Sequence, residues 1–428
     1  MADALRIGLV AGELSGDQLG SALIHAIRKL HPQAQFEGIA GPGMREAGCL
    51  PLAHSERLAV MGLVEVLGRL PGLISLRRQR VRHFRRRPPD VFVGIDAPDF
   101  NLSLERSLRR AGIPTVHWVC PSVWAWRQYR LGGIRNSVDL MLTLFPFEAR
   151  FLQQRGVCAQ FVGHPLADEI RVNDSQQAAR ERLGLDTDRP CVALLPGSRV
   201  AEIKRLLPVF LEAAQLCRQA IAGVQFVLPA ATADLLPVCR SSLDSARHRE
   251  LGVTLLEARA RDAMTAADAV LLASGTVALE CMLLQRPMVV AYRLHPLSYQ
   301  LVSRLLRVPY VSLPNHLLAT MQVPEFLQSD ATAEKLAGAL LELLQHPQKA
   351  AQQIEPFAGV HRQLQQNAVQ RAAQHIIDRG MHRSNKATLN SRLQHNVWRA
   401  WTKLGEARWP DRWLPPPSCL IPPDRLPV

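Results

Sequence analysis

Short apolar segments alternate with longer, helix-like stretches through most of this 428-residue chain. Near-continuous apolar runs of this length are typical of parallel strands that are buried on both faces. Strands that alternate with helices predict parallel sheets covered by helices. The predicted strands are residues 5–10, 90–95, 115–119, 140–144 and 160–162, followed by 191–195, 224–228, 269–272 and 288–292.

The two series of predicted strands are separated near Gly163-His164-Pro165. We therefore expect an α/β protein with two doubly wound, Rossmann-like domains that face each other across a cleft. The expected boundaries are 1–165 and 166–375, with the last helix of the second domain able to pack back on the first. Residues 381–428 form a basic tail that contains four of the seven tryptophans.

The formal net charge of +14 is the compositional anomaly of the chain. Such an excess of basic residues indicates an anionic partner: nucleic acid, a phosphorylated substrate or an acidic membrane surface. No apolar run is long enough to predict a spanning helix, and the N-terminus is a poor signal peptide. The eight cysteines show no C-x-x-C spacing, which indicates reduced thiols in a cytoplasm rather than a zinc site.

The segment "CVALLPGSRVAEI" in the second series predicts a phosphate site. A buried strand ends at Leu195, and a tight turn containing Gly197 and Ser198 leads through Arg199 into a helix. Glycine lets the backbone approach a ligand, and the arginine guanidinium offers a planar fork of donors to a diphosphate.

The segment "DAVLLASGTVALECMLL" repeats this arrangement. The turn Ser274-Gly275-Thr276 precedes a helix whose first N–H groups can face an anion. Glu280 follows about one helical turn later, where a carboxylate suits a ribose diol. The alternative is that both turns only connect elements and that Glu280 is solvated. Two such turns at the carboxyl ends of one sheet favour a nucleotide site.

The first series carries carboxylates in the corresponding places. In "DVFVGIDAPDFNL", Asp96 directly follows a predicted strand, at the edge where open α/β sheets bind ligands. It is our candidate for a general base, while Asp99 is better explained as the cap of the following helix.

The turn "AGELSGD" after the first predicted strand is also acidic. A phosphate would require N–H donors at such a turn, yet this one places Glu13, Ser15 and Asp17 on the same side as Asp96. Two alternatives remain open here: these side chains contact a ligand, or they only cap a helix.

An ordered set of motifs gives the chain a resemblance to lipid-A-disaccharide synthases from about residue 5 to 375. The motifs are "LVAGELSGDQLG", "AGPGM", "AVMGLVEVLGRLP", "VFVGIDAPDFNL", "PSVWAWRQYR", "LFPFE", "FVGHPL", "LLPGSR", "LLASGTVALECML", "PMVVAYR" and "YVSLPN".

The resemblance implies an inverting glycosyltransferase with two Rossmann-like domains that works without a metal or other cofactor. The implied reaction joins UDP-2,3-diacylglucosamine to 2,3-diacylglucosamine 1-phosphate, which releases UDP and a β-1,6 disaccharide for lipid A. It makes residues 1–165 the acceptor side and 166–375 the UDP-sugar side.

The resemblance also implies roles for single residues. Asp96 matches the family's essential aspartate, the base for the acceptor 6-hydroxyl. Glu280 and Asn315 match its nucleotide-sugar contacts, and Arg199 would stabilise the leaving UDP. "AGELSGD" would then meet the sugar hydroxyls of the acceptor.

The segment from Val60 to Leu76 is mostly apolar and is followed by seven arginines without an acid among them. This pattern fits an interfacial anchor. The lipid substrates that the resemblance implies favour the anchor, on anionic inner-membrane lipids at the cytoplasmic face. The alternative is a core helix with a solvated basic face. The predicted membrane contacts are Met61, Leu63, Leu67, Arg77, Arg78, Arg85, Arg86 and Arg87.

Other functions remain open from the residues alone. The chain could be another UDP-sugar transferase or an epimerase, or a basic protein without catalysis that binds membranes or nucleic acid. The resemblance implies that nucleic acid is not a partner of this chain. The tail could be a second interfacial helix, a homodimer contact or a disordered extension.

Overall fold

The computed structural model describes residues 4–55, 58, 63–171, 175–244, 248–294 and 308–381, with the backbone alone for 63–69. A first half of the chain contains seven parallel strands in one sheet, in the order β3-β2-β1-β4-β5-β6-β7. These strands are β1 (Arg6–Ala11), β2 (Gln35–Ala40), β3 (Leu50–His54), β4 (Val91–Ile95), β5 (Thr115–Trp118), β6 (Leu140–Thr143) and β7 (Ala159–Phe161).

The second half contains six parallel strands in a second sheet, in the order β10-β9-β8-β11-β12-β13. These strands are β8 (Cys191–Leu195), β9 (Gln225–Ala230), β10 (Thr254–Glu257), β11 (Ala269–Ala273), β12 (Met288–Tyr292) and β13 (Glu325–Leu327). In both sheets the strand order reverses beside the first strand, which is the doubly wound arrangement. The predicted fold class is confirmed.

The helices of the first half are α1 (Leu14–Leu30), α2 (Pro42–Glu46), α3 (Leu63–Arg86), α4 (Pro98–Arg109), α5 (Leu131–Arg135), α6 (Pro146–Gln153) and α7 (Pro165–Glu169). Those that follow are α8 (Gln176–Leu183), α9 (Val200–Ala220), α10 (Leu236–Leu243), α11 (Ala260–Ala266), α12 (Thr276–Leu283), α13 (Leu313–Leu318), α14 (Ala333–Gln345), α15 (Pro347–Ile354) and α16 (Phe357–Leu364). Residues 368–381 form a further helix, α17.

The sequence prediction missed β2, β3, β10 and β13. Three of these strands are at the edges of their sheets, where the side chains are only partly covered. Partial burial requires no continuous apolar run, so such strands carry a weak hydrophobic signal. The fourth, β2, pairs with β1 inside the sheet but includes Glu37 and Gly38.

The core follows the sheets. Strands β1, β4 and β8 are buried along nearly their whole length, and helices cover both faces of each sheet. Ala372, Ala373, Ile376 and Ile377 of α17 belong to the same cluster as the first strands. The last described helix therefore packs on the first sheet, although it follows the second sheet in the chain.

The predicted domain boundary at residue 165 falls in a region that contacts both halves. Phe145 follows β6 of the first sheet, yet it belongs to the core cluster of the second sheet together with Ala167 and Ile170. The boundary remains a prediction. The predicted tail lies outside the described residues from 382 onward.

Close pairing of β1 and β2 depends on Gly38. A Cβ atom there would lie 1.6 Å from the carbonyl oxygen of Leu9. We expect Gly38→Ala to reduce the free energy of unfolding by at least about 3 kcal/mol, because the two strands would have to separate. The measurement is urea unfolding followed by circular dichroism.

Gly338 is the matched control. It is exposed inside α14, and a Cβ atom there would meet nothing within 4 Å. Gly338→Ala should leave stability unchanged or raise it by about 0.5–1 kcal/mol, because alanine is the better helix former. A similar effect of both substitutions would contradict the steric explanation.

Candidate active site

Asp96 lies at the carboxyl end of β4, beside the point where the first sheet reverses its strand order. Its φ angle is +50°, and that of Ala97 is +44°. Two consecutive non-glycine residues in the left-handed region are costly, and such strain is found mainly at functional sites. The Asp96 side chain is half-buried, and its carboxylate has no hydrogen-bond partner among the described residues.

Asn101 holds this strained loop in place. It is completely buried in the first turn of α4, and its Nδ2 donates to the carbonyl oxygens of Asp96 at 2.8 Å, Val10 at 3.3 Å and Ile95 at 3.4 Å. One amide group therefore joins the ends of β1 and β4. At Gly12 after β1, a Cβ atom would lie 2.6 Å from the Cβ of Ala97, so the two loops are in contact.

A buried hydrogen-bonded pair, Glu105 and His117, supports the same region. Oε1 of Glu105, one helical turn after Asn101, lies 2.7 Å from Nδ1 of His117 on β5, within hydrogen-bond distance, and neither side chain is exposed. Burial raises the pKa of the Glu105 carboxyl group, while the His117 partner acts in the opposite direction. The pair joins α4 to the strand beside Asp96.

Asp17 does not face the cleft. It is 2% exposed, and its two carboxylate oxygens accept hydrogen bonds from the backbone N–H groups of Gly41, Gly43 and Met44. These N–H groups open α2, so Asp17 caps a neighbouring helix. Of the two alternatives for this side chain, the structure favours the cap.

Glu13 and Ser15 have a different position. Both are exposed, Glu13 as the N-cap residue of α1 and Ser15 in its first turn, and the Glu13 side chain makes no capping hydrogen bond. Leu14 between them is 72% exposed, which is unusual for an apolar residue. The start of α1 therefore offers polar and apolar groups together, next to the Asp96 loop.

The first glycine turn of the second half follows β8, at the reversal point of the second sheet. Gly197 has a φ angle of +127°, a conformation that favours glycine. The carboxylate of Glu202 accepts hydrogen bonds from the backbone N–H of Ser198 at 3.1 Å and from Nη1 of Arg199 at 2.8 Å. The N–H donors of this turn, which are suited to a phosphate, therefore bind the carboxylate of Glu202.

The second glycine turn follows β11, the neighbour of β8. The backbone N–H of Ser274 donates to the carbonyl oxygen of Ala291, and Gly275 and Thr276 are exposed. A Cβ atom at Gly275 would meet nothing within 4 Å, so the space above this turn is open. Both predicted phosphate turns therefore lie at the same edge of the second sheet.

Glu280 and Asn315 both have partners within the chain. Oε1 of Glu280 accepts a 2.9 Å hydrogen bond from Nε of Arg261, an exposed arginine. Asn315 is fully buried, and it donates to Val323 and Glu325 and accepts from the N–H groups of Gln322 and Val323. This geometry favours a structural role for Asn315 in the loop before β13, rather than direct contact with a nucleotide.

The described residues contain no group of three or more His, Cys, Asp or Glu side chains that could hold a metal ion. Near the two reversal points lie the carboxylate of Asp96, which is unpaired among the described residues, and the guanidinium of Arg199, whose side chain is 60% exposed and pairs with Glu202.

Comparison with known proteins decides the family. A family model described as lipid-A-disaccharide synthetase matches residues 7–377. The lipid-A-disaccharide synthase of Pseudomonas entomophila (strain L48) is 51% identical over 373 residues, which cover 87% of this chain and 98% of that protein. The chain belongs to the lipid-A-disaccharide synthetase family. It is therefore an enzyme, a glycosyltransferase of lipid A synthesis, and the predicted resemblance is confirmed.

Solved structures support the fold. A glycosyltransferase from Rickettsia africae ESF-5 is 10% identical with a TM-score of 0.57, and the match covers 89% of this chain and 99% of that chain. A UDP-GlcNAc 2-epimerase from Neisseria meningitidis is 12% identical with a TM-score of 0.57, and covers 88% and 99%. Since a transferase and an epimerase share this fold, the fold does not separate these activities. Membership of the lipid-A-disaccharide synthetase family does.

An aromatic cluster joins the two halves, and the sequence analysis assigned it no role. Trp124 from the first half contacts His316 of α13 at 4.8 Å between ring centroids, and Phe147 at 4.9 Å. Phe145 stacks on Phe147 and also contacts His164. Four of the quoted family motifs, "PSVWAW", "LFPFE", "FVGHPL" and "SLPN", contribute to this cluster or adjoin it.

Glu148 binds two members of the aromatic cluster by hydrogen bonds. Its oxygens accept hydrogen bonds from Nε1 of Trp124 at 3.1 Å and the N–H of Phe145 at 3.2 Å. Burial raises the pKa of Glu148 to about 8, although both hydrogen bonds act to lower it. Burial also lowers the pKa of His164 to about 4. The buried part of the cluster is therefore largely uncharged near neutral pH.

The raised pKa of Glu148 predicts a pH dependence of stability. Between about pH 4.5 and 8 the folded protein retains a proton that the unfolded chain releases. The free energy of unfolding should fall as the pH rises through this window, by at most about 1.4 kcal/mol per unit, and level off above it. Urea unfolding at pH 5.5 to 8.5, compared between the wild type and Glu148→Gln, measures this contribution.

Glu148→Gln should lack this slope, so the difference in stability between the two proteins should change with pH. Glu46→Gln removes an exposed carboxylate of α2 and should follow the wild type at every pH. Parallel curves for the wild type and Glu148→Gln would show that Glu148 titrates normally.

Proposed function

We propose that this chain transfers the sugar of UDP-2,3-diacylglucosamine to the 6-hydroxyl of 2,3-diacylglucosamine 1-phosphate. The products are UDP and the β-1,6-linked disaccharide 1-phosphate. Family membership supports a UDP-sugar donor and a lipid acceptor in general. The observation that carries the specific proposal is the carboxylate of Asp96, which has no partner among the described residues, on a strained loop at the reversal point of the first sheet.

Asp96 acts as the general base in this proposal. The acceptor's 6-hydroxyl oxygen attacks the anomeric carbon of the donor, and its proton passes to the Asp96 carboxylate. The bond between the anomeric carbon and the UDP oxygen breaks, so the configuration inverts. A carboxylate without a competing hydrogen bond is available for this proton, and a positioned base contributes about 10²–10⁴ in rate.

The two glycine turns of the second half bind the leaving diphosphate. UDP gains negative charge as the bond breaks, and Arg199 and the N–H groups at Gly197, Ser198 and the start of α12 stabilise it. Glu202 occupies these donors in the structure. The diphosphate therefore replaces the Glu202 carboxylate, which turns away on its side chain.

The remaining contacts follow from the same arrangement. Glu280 binds the ribose hydroxyls of the donor, for which it exchanges its exposed Arg261 partner. Glu13 and Ser15 meet acceptor hydroxyls, and the exposed Leu14 lies where an acylated sugar would place its chains. Asn315 stabilises the loop before β13 through its buried hydrogen bonds and does not contact the donor. We leave Asp17 out of the acceptor contacts because its carboxylate is occupied.

The decisive experiment is a disaccharide assay with purified protein, both proposed substrates and quantification of UDP release. We expect Asp96→Asn to lower turnover about 10²–10⁴-fold, because the amide cannot take the proton. Its affinity for UDP, measured by calorimetry, should stay within about twofold of the wild type, because the base does not contact the nucleotide.

Asp378→Asn is the matched control, since Asp378 is an exposed carboxylate on α17 far along the chain from either turn. It should retain wild-type turnover. Near-normal turnover of a folded Asp96→Asn protein would rule out Asp96 as the base. Absence of disaccharide from the wild type would overturn the choice of substrates.

We further propose that α3 attaches the protein to the cytoplasmic face of the inner membrane. Among the described helices, none has the length and apolar character to cross a bilayer. Leu76 and Phe84 of α3 pack into the core of the first half, while Leu70 is 44% exposed. Met61 and the side chains of Leu63 and Leu67 lie outside the described residues. The predicted homodimer stays a prediction.

The arginines of α3 support this proposal. A depression beside α4 is lined by Arg77, Arg78, Val81, Arg82, Arg85, Arg86 and Ser107. It contains five guanidinium groups and no acid. Arg87, just after α3, is exposed as well. Each arginine near an anionic bilayer contributes about 1 kcal/mol to binding.

Binding to vesicles tests the anchor. Replacing Arg85, Arg86 and Arg87 by Gln should weaken sedimentation with anionic vesicles roughly as 1 M salt does, because both remove the electrostatic contribution. Leu63→Glu with Leu67→Glu should remove the binding that survives high salt, because that part is apolar. Activity on detergent-dispersed substrates should change less than vesicle binding.

The tail tryptophans are a confounding source of membrane binding. The same variants should therefore also be measured in a chain that ends at Gly380. Equal binding to neutral and anionic vesicles, unaffected by any of these substitutions, would leave α3 as a core helix with a solvated basic face.

A further inference from the structure

Arg127 is a cationic side chain on a segment that adjoins the Asp96 loop, and the proposed reaction leaves it unused. It lies in the segment between β5 and the short 3₁₀ turn Gln128–Arg130. Strand β5 pairs with β4, and the backbone N–H of Asp96 donates to the carbonyl oxygen of Trp118 at the end of β5. The segment that contains Arg127 therefore leaves the sheet at the same edge as Asp96.

A salt bridge fixes this segment against the start of α4. Nη2 of Arg130 lies 2.6 Å from Oδ1 of Asp99, three residues after Asp96. Arg130 is mostly buried and has this carboxylate as its partner. Arg127 precedes the turn directly, so its backbone is held close to the loop of the proposed base.

Arg127 itself is held in a defined arrangement without an acidic partner. Its φ angle is +52°, a left-handed conformation that a non-glycine residue adopts at a cost. Its guanidinium carbon lies 4.0 Å from the ring centroid of Trp126. The side chain is exposed, and no carboxylate of the described residues pairs with it.

The charges around Asp96 show what such an arginine can do there. Glu13 and Asp96 have no cationic partner among the described residues, whereas Asp99 is paired with Arg130, so this part of the first half is acidic and repels an anionic substrate. The proposed acceptor carries a phosphate monoester with a charge of about −1.5 to −2 near neutral pH. Its phosphate is on C1 and its reacting hydroxyl is on C6, which is attached to C5, so the two groups flank the ring oxygen of one sugar and are separated by a few ångströms. A cation near Asp96, but not in contact with it, matches this spacing.

We infer that the guanidinium of Arg127 binds the 1-phosphate of the acceptor. A planar guanidinium that rests on an indole presents two parallel N–H donors to phosphate oxygens. Arg130 is committed to Asp99, and Arg199 belongs to the second half. The inference rests on the proposed function, and makes Arg127 the residue that distinguishes a phosphorylated acceptor from an unphosphorylated one.

The test compares two acceptors, 2,3-diacylglucosamine 1-phosphate and 2,3-diacylglucosamine, in detergent. The wild type should prefer the phosphorylated acceptor in kcat/KM. Arg127→Ala should reduce that preference about 10- to 100-fold, the size of a lost charge-assisted contact. The KM for the phosphorylated acceptor should rise, while activity on the unphosphorylated acceptor stays within about threefold. Arg127→Lys should show an intermediate preference, because it keeps the charge and loses the planar fork.

Arg155→Ala is the matched control. Arg155 is also exposed and lies 3.8 Å from an aromatic ring, that of Phe151, but it follows α6 and precedes β7, at the opposite edge of the sheet. It should keep the wild-type preference. UDP affinity should be unchanged in all variants, which also verifies their folding.

Each other outcome has a definite meaning. An unchanged preference in active Arg127→Ala would overturn this inference and leave the proposed function standing. Lower UDP affinity of Arg127→Ala would show that Arg127 contacts the UDP-sugar. Weaker vesicle binding with an unchanged acceptor preference would show that it contacts the membrane. Either result would overturn the inference. Absence of disaccharide from the wild type with both acceptors would overturn the proposed function itself.

Discussion

Parallel pairing of the central strands is the constraint on which the candidate site depends. In each sheet the first strand has its next strand in sequence on one side and a later strand on the other. The loops that follow these two neighbours leave in different directions, which opens a crevice at the carboxyl edge. In the first sheet the crevice begins where Gly12 meets Ala97, and in the second it begins between the two glycine turns.

The two crevices carry opposite chemistry. The first exposes carboxylates and contains Asp96 on a loop whose left-handed backbone is held by Asn101. The second exposes N–H donors and Arg199, which already bind the carboxylate of Glu202. A base is useful where a hydroxyl loses its proton, and donors are useful where a diphosphate gains charge. The sugar transfer that we propose requires both properties, and the two sheets provide them separately.

The sequence predicts those parts of the site that depend on neighbours in the chain. A polar residue after an apolar strand, as with Asp96, or a glycine turn before a helix, as with Gly197, is visible locally. The partners of Asp17 are not, because its hydrogen bonds reach residues 24 to 27 positions away. The same holds for Asn315, whose buried contacts with Glu325 follow from tertiary packing. Polar residues that look like ligand contacts in sequence can therefore be structural.

Tertiary contact also explains why the aromatic cluster was missed. Trp124 and His316 are far apart in the chain, and nothing in either local sequence indicates that their rings touch. Their contact nevertheless links the half that contains Asp96 to the half that contains the glycine turns, because α13 follows the segment whose Val311 carbonyl accepts from the Ser274 hydroxyl. Glu148 beneath them has a raised pKa, so its carboxyl group is mostly protonated near neutral pH and adds little charge between the halves. An uncharged aromatic contact can slide or tilt without breaking an ion pair. The contact between the halves therefore rests on aromatic packing, whereas Asp96 and Arg199 each follow a central strand of the sheet in their own half.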